Sequence, residues 1–294
     1  MRISSLSMNL KSFNIIHNSS NRYDSLITQM VSGQKIQKGS ENPVLAQKST
    51  YLNNLRTRNE QYTKNATDAK SIIDYSESIL GEASNMLTRV KELAVQASSD
   101  TVNNESRQAI VKEMDQIILE LTNMGNQTYN GKYIFAGTNT TEKPFELEGD
   151  PVTNVKYNGN GNSIVFNIFE NSQIASNIPG DQVFLDTIND LITIRNDIES
   201  GDIDAITNVG FDLLEKGIDR VINARTELGA KSNIVETTEA RIASMNLELE
   251  TSYTNLMGVN IAEKQVELTG VELSYQASLS AMSKLHSMSI LNYL

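Results

Sequence analysis

The chain has 294 residues, ample for a sizeable core, yet only 6% are aromatic and it holds neither Trp nor Cys. Its cores must therefore be built from Leu, Ile, Val, Met and Ala, as helix seams are, and disulfides, thiolate nucleophiles and Cys-ligated metals are excluded together. A net charge of -11 argues against a nucleic-acid partner, which would need a basic face.

The first eleven residues, Met1 to Lys11, hold no apolar run long enough for a signal-peptide core, and no later stretch reaches a membrane-spanning length. A cytosolic protein, or one exported without a cleaved signal, is expected. From Leu6 to Met30 the apolar residues Leu6, Leu10, Phe13, Ile16, Tyr23, Ile27 and Met30 keep a helical spacing. Polar Asn, Ser and Thr fill the gaps and are mediocre helix formers, so this helix is marginal alone. Gly33, Gly39 and Pro43 then predict a loop over residues 32 to 43, with Pro43 opening the next helix.

That helix is long. Leu52, Leu55, Tyr62, Ala66, Ala69, Ile73, Leu80, Ala83, Leu87, Val90, Ala94 and Ala97 follow a three-and-four repeat, interrupted at Asn59 and Ser76. Over roughly fifty residues at about 1.5 Å per residue this predicts a rod on the order of 75 Å long. The run Ser98 to Asn104 reads as a turn, with Asn104 and Glu105 capping a third, antiparallel helix that carries Ile110, Met114, Ile117, Leu121 and Met124.

The periodicity changes after Tyr129. Asn130-Gly131 is a tight-turn dipeptide, Lys132 to Gly137 is β-prone, and Val155–Tyr157 and Ser163–Phe169 read as short strands, with Asn158 to Asn162 as a hairpin turn between them. Residues 131–183 are thus expected to form a small β-rich insertion. Helix resumes at Phe184, pauses at Glu199 to Asp202, and restarts near Asp204 into one helix running to the C-terminus. Its stripe is Leu214, Ile218, Val221, Leu228, Val235 and Ile242, resumed after a one-residue slip by Met245, Leu249, Leu256, Val259 and Val266. A stripe this narrow must face another long helix, of this chain or of a neighbouring copy. The fold class is mainly α: a long antiparallel helical rod with paired N- and C-terminal helices and a small β-rich inserted domain.

Catalytic ingredients are missing. The two histidines, His17 and His286, read as lone seam or surface residues, and no cluster offers a zinc site or a triad. Asp202-Ile-Asp204 lacks the later ligands of a calcium loop and reads as a helix N-terminus. Asn158 to Asn162 lacks the helix and Lys of a phosphate loop. No enzyme, metal or cofactor is expected.

Several segments resemble the bacterial flagellin superfamily: Met1-Arg-Ile-Ser4, Met30 to Ile36, Gly39-Ser-Glu-Asn-Pro43, Arg225 to Asn233 and the closing Ser289-Ile-Leu-Asn-Tyr-Leu294. Within it, Asn130-Gly-Lys-Tyr-Ile-Phe-Ala-Gly137 and Lys143-Pro-Phe145 resemble the hook-filament junction branch, and filament flagellin is the alternative. The loop departs from the family pattern in carrying Ser40-Glu41-Asn42 where an Asp-Asp pair precedes the proline.

The resemblance implies a flagellin-like fold with three parts: a terminal assembly domain (1–45 and 255–294), a helical rod (46–130 and 184–254) and an outer insertion (131–183). It implies a structural, extracellular role in the flagellum, with export by the flagellar type III apparatus and ends that order as a coiled coil on assembly. The implied partners are copies of the chain in a ring, the first hook-associated protein, flagellin, and an export chaperone holding the C-terminal segment. The expected assembly seam is Leu6, Leu10, Phe13, Ile16, Leu268, Val271, Tyr275, Met282 and Leu285; ordinary intramolecular core is the competing reading for each.

Overall fold

The structure, a computed structural model, describes residues 2–99, 102–149 and 151–291, the side chains of residues 2–6, 8, 9 and 285–291 excepted. In chain order it comprises α1 (Arg2–Ser32), α2 (Pro43–Ala97), α3 (Asn104–Gly125), β1 (Thr128–Tyr129), β2 (Lys132–Tyr133), β3 (Phe145–Glu148), β4 (Asn154–Tyr157), β5 (Val165–Phe169), β6 (Ser172–Ala175), α4 (Leu185–Ser200), α5 (Ile203–Ala205), a π-helical turn (Ile206–Gly210), α6 (Phe211–Met257) and α7 (Ile261–Leu291). It divides into two compact units, residues 1–58 with 244–294, and residues 59–243.

In the unit of residues 59–243, α2 and α6 run antiparallel. Thr67 Oγ1 donates to Glu239 Oε1 at 3.0 Å, Lys70 pairs with Glu236, Ser232 Oγ donates to Asp74 Oδ1 at 3.2 Å, and Arg225 places Nε and Nη2 3.0 and 2.7 Å from Glu77 Oε1. Between these ties lies the seam. Ala66, Ala69, Ile73, Leu80, Ala83, Leu87, Val90, Ala94 and Ala97 are buried, and so are the two polar positions that interrupt the apolar pattern, Asn59 and Ser76. Ser76 is tolerated because its hydroxyl donates back to Ile72 O at 2.7 Å. A buried Leu or Ile contributes about 1.5–3 kcal/mol and an Ala much less, so an Ala-rich seam needs length to hold.

On α6, Leu214, Val221, Leu228, Val235 and Ile242 are all buried at an unbroken spacing of seven that continues through Leu249 and Leu256, so the expected slip does not occur. α3 packs on α4, where the fully buried Arg195 reaches Asp115 Oδ1 at 3.1 Å through an Nε not aligned for a hydrogen bond, and Glu199 at 3.7 Å. The cap of α3 is Asn103, whose side chain accepts from Ser106 N at 2.7 Å, one residue before the expected Asn104. Its core position is Ile118 rather than Ile117, which is only partly buried.

The strands form three separate antiparallel pairs, β1–β2, β3–β4 and β5–β6. Asn130 (φ 52) and Gly131 (φ 76) make the tight turn of the first, as the dipeptide predicts. β3 and β6 were not legible in the sequence; each is the partner of a strand that was. Asn158 to Asn162 is not a hairpin turn, because β4 and β5 belong to different pairs. It is a tied-down connection: Asn160 Oδ1 accepts from Thr138 N at 3.0 Å and from Asn162 N at 3.1 Å, and Asn160 N donates to Ala136 O. The β-prone Lys132 to Gly137 is strand only at its start. Its Phe135 is fully buried and meets Phe184, ahead of α4, edge-on at 5.0 Å; Phe145 meets the same ring at 6.0 Å.

In the other unit, α1 and α7 pack antiparallel. The C-terminal helix is not continuous: it breaks at Gly258–Asn260, opposite the loop that ends α1. Gln34 and Gly258 form an antiparallel bridge, with Lys35 N donating to Met257 O at 2.7 Å and Val259 N to Gly33 O at 3.1 Å. Pro43 opens α2 as expected, and Asn42 Oδ1 caps it by accepting from Leu45 N at 3.1 Å.

Candidate assembly surface

The α1–α7 pair uses one face of each helix. On α1 the facing positions are Ser12, Ile16, Ser19, Tyr23, Leu26 and Met30, a three-and-four repeat in which Leu26 is buried and the others half-buried. Leu26, not the neighbouring Ile27, is the packed residue, because the serines at positions 12 and 19 belong to the seam and shift its phase. On α7 the facing positions are Leu268, Val271, Tyr275, Ser278 and Met282, all half-buried. Small hydroxyl residues let the helices approach but add little apolar area, so the pair is thinly stabilised.

One ion pair fixes its register. Arg22 Nη2 lies 2.7 Å from Glu267 Oε1, and Lys264 Nζ lies 2.8 Å from Glu267 Oε2. The hydrogen bond from Arg22, then that from Lys264, holds the Glu267 carboxyl below its ordinary range. Both partners are substantially exposed, so this pair sets register more than it adds stability.

Of the expected seam, Ile16, Leu268, Val271, Tyr275 and Met282 therefore lie within the intramolecular pair. Leu10 and Phe13 do not: Phe13 is 62% exposed. The side chains of Leu6 and Leu285 lie outside the described residues. Leu10 and Phe13 head a second stripe on α1 that passes through His17, Ser20 and Asp24 to Ile27 and Val31, the last 84% exposed. The His17 ring stacks on Phe13, with centroids 6.4 Å apart, and its Nε2 is 3.3 Å from Asn21 Nδ2. The side chain of His286 lies outside the described residues.

α7 has a counterpart. Val266, Gly270, Leu273 and Ala277 repeat at three-and-four spacing and are all exposed, Val266 at 75% and Leu273 at 68%. Val266, expected to close the long stripe of α6, instead lies beyond the break and outside the α1–α7 seam; Leu273 and Ala277 do not stand out in the sequence because α7 is apolar on two opposite sides, which leaves no single face to mark. Each terminal helix thus presents large apolar side chains on a second face that the isolated chain leaves in water. The pattern suits helix packing between molecules. Among the described residues no cluster of His, Asp and Glu could hold a metal ion, and no helix is long and apolar enough to cross a membrane.

Comparison with known proteins yields two family matches: the bacterial flagellin N-terminal helical region over residues 3–140 and the bacterial flagellin C-terminal helical region over residues 211–294. The chain is 27% identical over 273 residues to flagellar hook-associated protein 3 of Escherichia coli, covering 92% of this chain and 81% of the relative. It is 27% identical over 247 residues to a flagellin of Bacillus subtilis, covering 76% of each. Among solved structures, FlgL of Bacillus cereus matches with a TM-score of 0.61 and 26% identity over 69% of this chain and 99% of that one. The two family regions leave residues 141–210 between them, which carry β3 to β6 and α4.

Proposed function

Since the chain belongs to the bacterial flagellin family, we propose that it is a structural subunit of the flagellum, joining a hook-associated protein to the flagellin filament and assembling through its terminal helices. The observation that carries this reading is the pair of outward apolar stripes, Leu10–Phe13–Ile27–Val31 on α1 and Val266–Leu273 on α7, borne by helices whose mutual seam is only half-buried. Ordering a residue costs roughly 1–2 kcal/mol of backbone entropy, which a thin two-helix seam hardly offsets, so the ends gain stable order when neighbouring copies cover the outer stripes.

In this reading residues 1–45 and 255–294 form the assembly domain, residues 46–130 and 184–254 the rod, and residues 131–183 an insertion on the outside. Copies of the chain form a ring, bounded by the first hook-associated protein on one side and flagellin on the other. Export proceeds without a cleaved signal, with a chaperone holding the C-terminal segment. The wider coverage of the hook-associated relative favours a junction subunit over a filament flagellin.

Seeded polymerisation followed by electron microscopy tests this. Added to hook ends carrying the first hook-associated protein, the chain should lay down a short terminal layer that then accepts flagellin. Indefinite growth from this protein alone would make it a filament flagellin, and no binding would point instead to a free-standing helical scaffold. The double variant Leu10→Asp with Met282→Asp should fail to incorporate while the helicity of residues 59–243 is kept.

A further inference from the structure

The last carbonyls of α6 have no partner within their own helix, the ordinary position at a helix C-terminus. Here they are satisfied from the far end of the sequence. Lys35 gives its backbone N–H to Met257 O at 2.7 Å and places its ammonium 3.1 Å from both Asn255 O and Leu256 O. A cation on these carbonyls also opposes the negative end of the helix dipole. Val259 N returns a hydrogen bond to Gly33 O at 3.1 Å, closing the bridge between Gln34 and Gly258.

Both chain breaks depend on glycine. Gly33 has φ +69, and a Cβ on Gly258 would stand 2.4 Å from Thr254 O. One lysine and two glycines therefore fasten the end of α1 (Ser32) to the start of α7 (Ile261) at a single point.

We infer that Lys35 pins a clasp from which α1 and α7 zip together as one unit, so that order in either terminal helix requires the other. The inference rests on the reading above, in which the terminal helices order during assembly. Its physical basis is loop closure and helix nucleation. With residues 59–243 folded, pairing the two ends with no anchor still costs both closure of the loop made by the chain flanking them, residues 33–58 and 244–260, and a fresh nucleus on each helix. With the clasp formed, the first contacts beside it, those of Met30 and Leu26, close only a short loop. Arg22 with Glu267 follows, and then Ile16 and Tyr275 farther out. Lys35 acts here as a positioning residue.

The test is hydrogen–deuterium exchange, read by mass spectrometry on the full free chain. In the wild type, amides of residues 24–32 and 261–268 should exchange more slowly than those of residues 10–16 and 276–284. Lys35→Met should erase that lead on both helices together, with exchange about three- to tenfold faster beside the clasp, the range expected for loss of a charge-assisted hydrogen bond at a partly exposed site. Lys35→Arg should keep the lead, and Lys38→Met in the same loop should leave it unchanged. Protection across residues 59–243, unaltered in every variant, serves as the check that the chain remains folded.

Acceleration confined to residues 255–260, or to one terminal helix, would overturn the inference. So would equally fast exchange along the whole of both wild-type helices. Distal ends as protected as residues 59–97 in the free wild type would instead contradict ordering on assembly. The clasp would then still be decided by whether Lys35→Met speeds both helices at once.

Discussion

Asn126 and Phe145 exchange two hydrogen bonds through a single side chain: Asn126 Nδ2 donates to Phe145 O at 3.0 Å, and Phe145 N donates to Asn126 Oδ1 at 2.9 Å. The amide copies the pairing of a neighbouring strand residue and fastens the start of β3 to the end of α3. Both bonds are partly buried, so Asn126→Ala should destabilise the fold by about 1–3 kcal/mol. Asn126→Asp, which keeps the acceptor and loses the donor, should cost a comparable amount. Urea unfolding monitored by circular dichroism measures this, and a midpoint equal to wild type for both variants would show that the pairing carries no stability.

The ring of Phe145 is held between two glycines. A Cβ on Gly180 would come 2.6 Å from the ring and 2.8 Å from Phe135 O, and one on Gly125 would come 2.7 Å from the ring. Gly180→Ala should therefore cost about 1–3 kcal/mol by overpacking. Because the nearest part of that clash is with the Phe145 ring, and only the rest with the Phe135 backbone, Phe145→Leu should be less damaging in the Gly180→Ala background than alone. A double-mutant cycle by thermal unfolding reads that coupling, and strict additivity would refute it.

Tyr157 lies in the same cluster, its hydroxyl donating to Phe135 O at 2.9 Å and lying 3.2 Å from Asn160 O. Burial, aided by the charge of Asp181 and opposed by the backbone N–H groups of Gly180 and Asp181, pushes this phenol up to about 12 from an ordinary 10.0. In the unfolded chain the phenol ionises at its ordinary value. The folded state is thus favoured in full below pH 10 and loses this contribution as the pH rises through about 12. Wild type should show a steeper alkaline loss of stability than Tyr157→Phe. Parallel curves over that window would refute the assignment.

The two faces of the terminal helices separate by substitution. Leu273→Asp, on the outer stripe, should block incorporation at hook ends while leaving the exchange protection and helicity of the free chain as they are. Leu26→Asp, in the one buried position of α1 among the described residues, should strip protection from both α1 and α7 before any assembly. Normal incorporation of the Leu273→Asp chain would remove the outer stripe from the assembly surface.

The long helices were legible in the sequence because a three-and-four repeat of Leu, Ile, Val and Ala survives wherever one face is buried along its whole length, as from Ala66 to Ala97 and from Leu214 to Ile242. So were the Gly33 to Pro43 loop and the Asn130-Gly131 turn, where backbone geometry demands particular residues. Tertiary structure decided the rest. Ser12 and Ser19 belong to the α1 seam although they are polar, since close helix approach rewards small size, and no apolar count finds them; Asn59 and Ser76 could be placed only by the phase of the repeat around them. The strands β3 and β6 exist only as partners of β4 and β5. The break after Met257 has local marks, Gly258 at the end of α6 and Asn260, whose Oδ1 accepts from Ala262 N at 3.2 Å, at the start of α7; its tie to Lys35, more than two hundred residues away, is a set of hydrogen bonds that a local pattern cannot encode.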